Sequence, residues 1–171
     1  MMTVEFMRKR NRLEGFDYSK DGVYFITICT KDKEFTLSRI SGEKENAVSV
    51  LSNHGQLVRS GIELINVWYP FAKVLQYVIM PNHVHILLEL RNARLSVSAI
   101  ISYFKSYVTR NAGVPVWQKS FYDHIVRNHD DFCRISEYIA HNPENWALDS
   151  LAMRDSYRER YEMLRARTKN S

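Results

Sequence analysis

The 171-residue chain is 45% hydrophobic and 25% charged, with six Gly and four Pro, which suits one folded domain with a sizeable core and excludes a disordered or fibrous chain. Its net charge of +5 favours a polyanionic partner, although such an excess can equally serve solubility. Two cysteines, Cys29 and Cys133, are too few for a disulfide framework and lack metal-finger spacing, the opening MMTVEFMRKRNRLEG holds no signal-like apolar run, and no stretch is long enough to cross a membrane, so a cytoplasmic protein is expected.

The first twenty residues mix Arg8, Lys9, Arg10, Arg12 and Lys20 with Phe16 and Tyr18. They read either as a phosphate-binding arm with stacking aromatics or as a solvated terminus. Asp21-Gly22 marks a turn, and VYFITICT over Val23–Thr30 is rich in β-branched and aromatic residues and predicts a buried strand. Residues 31–46 read as a polar connection, and Ala47–Leu51 as a short edge strand. Ser52 or Asn53 can cap a helix whose stripe is Leu57, Gly61, Leu64, Ile65 and Trp68, stopped by Pro70.

Phe71–Met80 is extended and leads through a bulge or turn at Pro81-Asn82 into HVHILLEL. Strand alternation puts His83, His85, Leu87 and Glu89 on one face and Val84, Ile86, Leu88 and Leu90 on the other, apolar one. Paired imidazoles on one strand face are either hydrogen-bonded or wet side chains or the floor of a metal site. Ser96 can cap a helix with Val97, Ile100, Ile101, Phe104 and Val108 inward, closing near Gly113 and exposing Lys105 and Arg110.

Trp117–Arg127 alternates as a strand, with Phe121, Asp123 and Ile125 opposite Tyr122, His124 and Val126. Asn128 or Asp130 caps a third helix that buries Phe132, Ile135 and Ile139 and runs to Asn142, where Pro143 ends it. Tyr138 and Asn142 are then one turn apart. A domain of residues 1–150 is followed by a basic amphipathic tail, 151–171, that packs as a last helix or folds on a partner. Strands alternating with helices predict an α+β fold, one antiparallel sheet with helices packed on it and the histidine strand central.

Three segments, RLEGFDYSKDGVYFITICT, YVIMPNHVHILL and VWQKSFYDHIVRNHDDFCRISEYIAHNPENW, closely resemble in order and spacing the REP-associated tyrosine transposases, a bacterial branch of the one-tyrosine HUH nucleases related to small insertion-sequence transposases. The resemblance spans residues 8–149 and implies a central antiparallel sheet of the ferredoxin/RRM-like HUH type. It implies that His83 and His85 bind a divalent metal, Mg2+ or Mn2+, that Tyr138 is the nucleophile, and that Asn142, often glutamine in related transposases, is the third metal ligand. Judged on the residues alone, Tyr138 stands only slightly ahead of Tyr122, which lies beside Asp123 and His124.

The implied substrate is single-stranded or hairpin DNA of the REP type, cleaved and rejoined through a 5′-phosphotyrosine. Arg8, Arg10, Arg12, Lys105, Arg127 and Arg134 are candidate phosphate contacts, or solvated surface. His124, His129 and His141 are candidate contacts to the DNA or to the metal ligands. Two other readings stand beside this one: a DNA-hairpin-binding protein that no longer cuts, and a water-using metal hydrolase with Glu89 as its base. Either a monomer or a homodimer is compatible with the sequence.

Overall fold

A computed structural model of the chain describes residues 20–42 and 44–146. The arm with Arg8, Arg10 and Arg12, the boundary at residue 150 and the basic tail lie outside the described residues. Strand β1 is Gly22–Cys29, β2 Ser38–Ser41, β3 Val48–Leu51, helix α1 Asn53–Trp68, β4 Ala72–Ile79, β5 His83–Leu90, α2 Val97–Ala112, β6 Tyr122–Val126 and α3 His129–Ala140. The main sheet runs in the order β4-β5-β1-β6 with every pairing antiparallel, and β2 and β3 pair separately. Without the β2-β3 hairpin this is the β-α-β-β-α-β arrangement of a ferredoxin-like domain, the expected α+β fold, with β5 and β1 central.

Period-two alternation divides the sheet. Tyr24, Ile26 and Ile28 of β1 and Val84, Ile86, Leu88 and Leu90 of β5 are fully buried against Val58, Ile62 and Ile65 of α1 and Ile100, Ile101, Phe104 and Val108 of α2. The opposite face carries Phe25 and Leu87, packed on Ile135 and Ile139 of α3. Among the described residues, two helices therefore cover one face and one short helix the other. Each helix starts at a side-chain cap: Ser52 Oγ accepts from Gly55 N (3.1 Å), Ser96 Oγ from Ala99 N (3.2 Å) and Asn128 Oδ1 from Asp131 N (2.9 Å). Gly113 ends α2 in the left-handed conformation (φ 70°) that glycine adopts without strain.

Several predicted elements are corrected. The polar connection over residues 31–46 contains β2, which four residues of mixed polarity do not announce. The buried stripe of α1 is Val58, Gly61, Ile62 and Ile65; Leu57 and Leu64 are only half-buried and Trp68 is exposed, because the helix is apolar over a wide arc and turns Gly61 toward Phe104 and Tyr107 of α2. Only Tyr122–Val126 of the last predicted strand joins the sheet; Trp117 makes an isolated bridge to Thr30. Helix α3 ends at Ala140, with His141 as its cap, so Asn142 lies past the helix.

The β2-β3 hairpin braces the turn between β4 and β5. Ser38 Oγ donates to the Ile79 carbonyl (3.2 Å), as does Ser49 Oγ, and Leu37 N donates to the Pro81 carbonyl (3.0 Å). From β1, Thr30 N (2.9 Å) and Thr30 Oγ1 (3.1 Å) both donate to the Asn82 carbonyl. The start of α1 closes on the same hairpin: a β-carbon at Gly55 would stand 2.1 Å from the Leu37 carbonyl oxygen. Alanine in a helix ordinarily gains about 0.5–1 kcal/mol over glycine. Here Gly55→Ala is expected instead to lose about 1–3 kcal/mol, as overpacked sites do. Urea unfolding measures this, and unchanged or increased stability would contradict the close approach.

Candidate active site

His83 and His85 open β5 immediately after the Pro81-Asn82 turn, and the ladder sets them opposite Cys29 and Thr27 of β1. Both rings are buried, 0% and 2% exposed, with centroids 4.5 Å apart. Their Nδ1 atoms are engaged: His83 Nδ1 lies 2.8 Å from Asn82 Oδ1, and His85 Nδ1 2.8 Å from Thr27 Oγ1. Buried polar rings require such partners, and these come from the turn just before β5 and from the neighbouring strand β1.

Helix α3 lies over this face. Ser136 and Gln76 of β4 clasp it in both directions, Gln76 Nε2 donating to the Ser136 carbonyl (3.1 Å) and Ser136 Oγ to Gln76 Oε1 (2.6 Å). Two residues on, the Tyr138 ring packs 5.2 Å from His85 and edge-on to Phe25 at 6.1 Å. After the helix ends, Trp146 stacks on His83 at 5.9 Å and meets Phe35 edge-on at 5.5 Å. Asn142 falls in the segment between these two contacts and is 2% exposed; its Oδ1 is buried with no hydrogen-bond partner among the described residues.

The fold therefore brings Tyr138 to His85 and Trp146 to His83, and it buries the Asn142 amide oxygen in the segment that joins Tyr138 to Trp146. Uncompensated burial of such an oxygen costs about 1–3 kcal/mol, which a cation ligated there would offset. Imidazole nitrogens and an amide oxygen are neutral donors of types that suit a divalent ion. Among the described residues no three His, Cys, Asp or Glu side chains form a metal-holding group, so a third donor among them would be of another type, as Asn142 is.

The other tyrosines are distributed unequally. Tyr24 is fully buried on the α1-α2 face and donates to the Lys20 carbonyl (2.7 Å). Tyr77 and Tyr107 pack on that face too, and burial pushes the Tyr77 hydroxyl above its ordinary pKa. Tyr122 shares the histidine face, paired with Thr27 in the ladder, but sits on the edge strand and is 37% exposed. Glu89 is at the far end of β5 and pairs with Arg91 (2.7 Å). That is about 13 Å along the strand from His85 at roughly 3.3 Å per residue, too far for a base acting at the histidines.

The structure does not bring Lys105 to this site. Its ammonium, on the α2 side, donates to the carbonyls of Gln118 (2.5 Å), Lys119 (3.1 Å) and Ser120 (3.4 Å), and burial lowers its pKa. Arg134 is one helical turn before Tyr138 and pairs with Asp131 (2.5 Å), while Arg127 is exposed just before α3. His129 lies against Cys133 Sγ (3.4 Å), and His141 Nδ1 donates to the Glu137 carbonyl (2.9 Å). Sequence reasoning missed Thr27, Gln76, Ser136 and Trp146. It missed Asn82 as well, which it read only as part of the turn before β5.

No protein-family model matches the chain. An uncharacterised protein of Haemophilus influenzae is 32% identical over 170 residues, covering 84% of this chain and 92% of that protein. A REP-associated tyrosine transposase of Escherichia coli is 25% identical over 74% of this chain and 68% of its own length. Among solved structures, that of a REP-associated tyrosine transposase bound to a REP hairpin superimposes with a TM-score of 0.59 at 23% identity, over 80% of this chain and 73% of the other, a likeness of fold.

Asp131 anchors the start of α3. It accepts from His124 Nε2 (2.7 Å), from Arg134 and from Arg127 N (3.3 Å). Burial opposes its ionisation, yet the hydrogen bonds from His124 and Arg134 together hold its pKa below the usual carboxylate value. A depressed carboxylate adds stability that is present in full above the unfolded pKa, about 3.9, and lost as pH falls through the folded value. Asp131→Asn should therefore cost about 1–3 kcal/mol at neutral pH. Urea unfolding should show the gap from wild type narrowing below about pH 4; a gap undiminished at low pH would locate the effect elsewhere.

Proposed function

We propose that the chain, a member of the REP-associated tyrosine transposases, is a metal-dependent single-stranded DNA transposase and nuclease acting at hairpin, REP-like sites through a 5′-phosphotyrosine. The observation that carries this reading is the convergence of α3 on the histidine strand: Tyr138 against His85, with the Asn142 oxygen, which has no hydrogen-bond partner among the described residues, buried four residues later. His83, His85 and Asn142 would hold the ion. When bound, a divalent cation of the Mg2+ or Mn2+ kind supplies positive charge against the charge that develops on the phosphate.

Tyr138 supplies the nucleophile. Its phenolic oxygen forms a bond to phosphorus as the bond from phosphorus to the 3′ oxygen breaks. The phenol loses a proton, the departing oxygen gains one, and a free 3′-hydroxyl and a 5′-phosphotyrosine result. A phenol has an ordinary pKa of about 10, so its proton must be drawn off as the bond forms. Attack by another 3′-hydroxyl on the same phosphorus reverses the exchange and joins a new strand, without a nucleotide cofactor. Packing of the Tyr138 ring against both His85 and Phe25 limits its motion and contributes orientation. Arg134, a turn earlier, and Arg127 would supply positive charge to flanking phosphates, which would make binding sensitive to salt.

Incubation with 3′-labelled hairpin single-stranded DNA and Mn2+ should yield a covalent adduct on a denaturing gel. The adduct should disappear in Tyr138→Phe and fall by roughly 100-fold or more in His83→Ala, while persisting in Tyr122→Phe. Adduct formation that survives Tyr138→Phe removes Tyr138 as nucleophile. Hairpin binding with no adduct under either metal would instead establish a protein that recognises DNA and no longer cuts it.

A further inference from the structure

We propose that Asn82 and Thr27 are positioning residues that fix the ring tautomers of His83 and His85, keeping the proton on Nδ1 and leaving Nε2 bare in each. The inference rests on reading the two histidines as ligands and adds to it the groups that make them competent. A neutral imidazole carries one proton, and its other nitrogen is the one that can donate a lone pair to a cation. Which nitrogen that is depends on the partner of the first.

At His83 the partner decides the matter by its chemistry. Asn82 Oδ1, 2.8 Å from Nδ1, is a carbonyl oxygen and can only accept, so Nδ1 must carry the proton. The amide is held in this orientation from its other end, where Nδ2 donates to the Lys33 carbonyl (3.4 Å), and from its backbone, whose carbonyl takes both Thr30 donors. Asn82 is 1% exposed, so water does not compete for the bond. The residue is thus tied at three points, and its position immediately before His83 places it beside the ring.

At His85 the partner is a hydroxyl, which can donate or accept. Thr27 Oγ1 lies 2.8 Å from Nδ1, and the two residues are direct partners in the β1-β5 ladder. Thr27 is itself 9% exposed, and Phe25 tilts against the His85 ring at 5.0 Å. The proposal assigns Thr27 as acceptor here, making the two rings chemically equivalent although one partner comes from the adjacent residue and the other from the neighbouring strand.

Imidazole nitrogen NMR of the full-length metal-free protein reads each tautomer, with His83→Gln and His85→Gln assigning the signals. Both rings are expected in the Nδ1–H form in wild type. Asn82→Leu should move His83 to the Nε2–H form while Asn82→Asp keeps it, and Thr27→Val should move His85 while Thr27→Ser keeps it. Mn2+ affinity, followed by electron paramagnetic resonance of the free ion, should fall about 10- to 100-fold in Asn82→Leu and Thr27→Val and recover in the conservative variants. Thr27→Val is close to isosteric, so the question is answered at His85 even where Asn82→Leu does not fold.

Rings that remain Nδ1–H in the leucine and valine variants overturn the positioning role, as does Mn2+ affinity unaltered by either substitution. Wild-type protein that shows the expected tautomers and their loss in the variants, yet binds no Mn2+, supports the positioning of the rings and overturns the metal reading of the site.

Discussion

The ladder between β1 and β5 carries the constraint on which the rest depends. Because the two strands are antiparallel and their side chains alternate, one register decides at once that Ile26 and Ile86 meet inside the larger core and that Thr27 and His85 meet on the other face. A slip by one residue would turn both histidines into the apolar layer beneath α1 and α2, where neither ring could find its present partner. The hydrophobic layer therefore acts as the register lock for a polar site on the opposite side of the same strands. Its burial is what makes the histidine face geometrically reliable.

The second requirement is the approach of α3. Its apolar residues Ile135 and Ile139 set it on Phe25 and Leu87, the Gln76–Ser136 pair limits sliding along the sheet, and the Asn128 cap with Asp131 sets where it begins. Pro143 prevents the helix from continuing, and the chain that turns away buries Asn142 and returns Trp146 to His83. Each of these interactions is modest alone. Together they specify the angle at which a helix end meets a strand start, and that angle determines which side chains share a space.

Much of this was legible in the sequence. The alternation of HVHILLEL, the complete inward stripe of α2 and the Ser52, Ser96 and Asn128 caps were readable because each depends on local period or local hydrogen-bonding chemistry. The face of α1 was misjudged because an arc of leucines and isoleucines wider than the buried one offers more than one stripe, and only the neighbour, α2, selects between them. Helix α3 was read two residues too long, since a proline limits where helical geometry must stop and not where it does stop. Thr27 and Gln76 were invisible as site residues for a different reason. Their partners are 58 and 60 positions away, and nothing local in either strand encodes a contact across that distance.

The unequal covering of the two sheet faces has a consequence for how the molecule breathes. The α1-α2 face is sealed by an extensive core, whereas α3 is retained by a cluster with four buried members, Phe25, Leu87, Ile135 and Ile139. Free energies of local opening follow such differences in buried apolar contact, so α3 belongs to a less protected cooperative unit than the sheet it lies on. Tyr138 rides on that unit and the two histidines do not. Tyr138, proposed above as the nucleophile, thus sits on the more readily opened element while the imidazoles sit on the better protected one, an arrangement suited to a residue that would have to carry a covalently attached DNA end between one strand and the next.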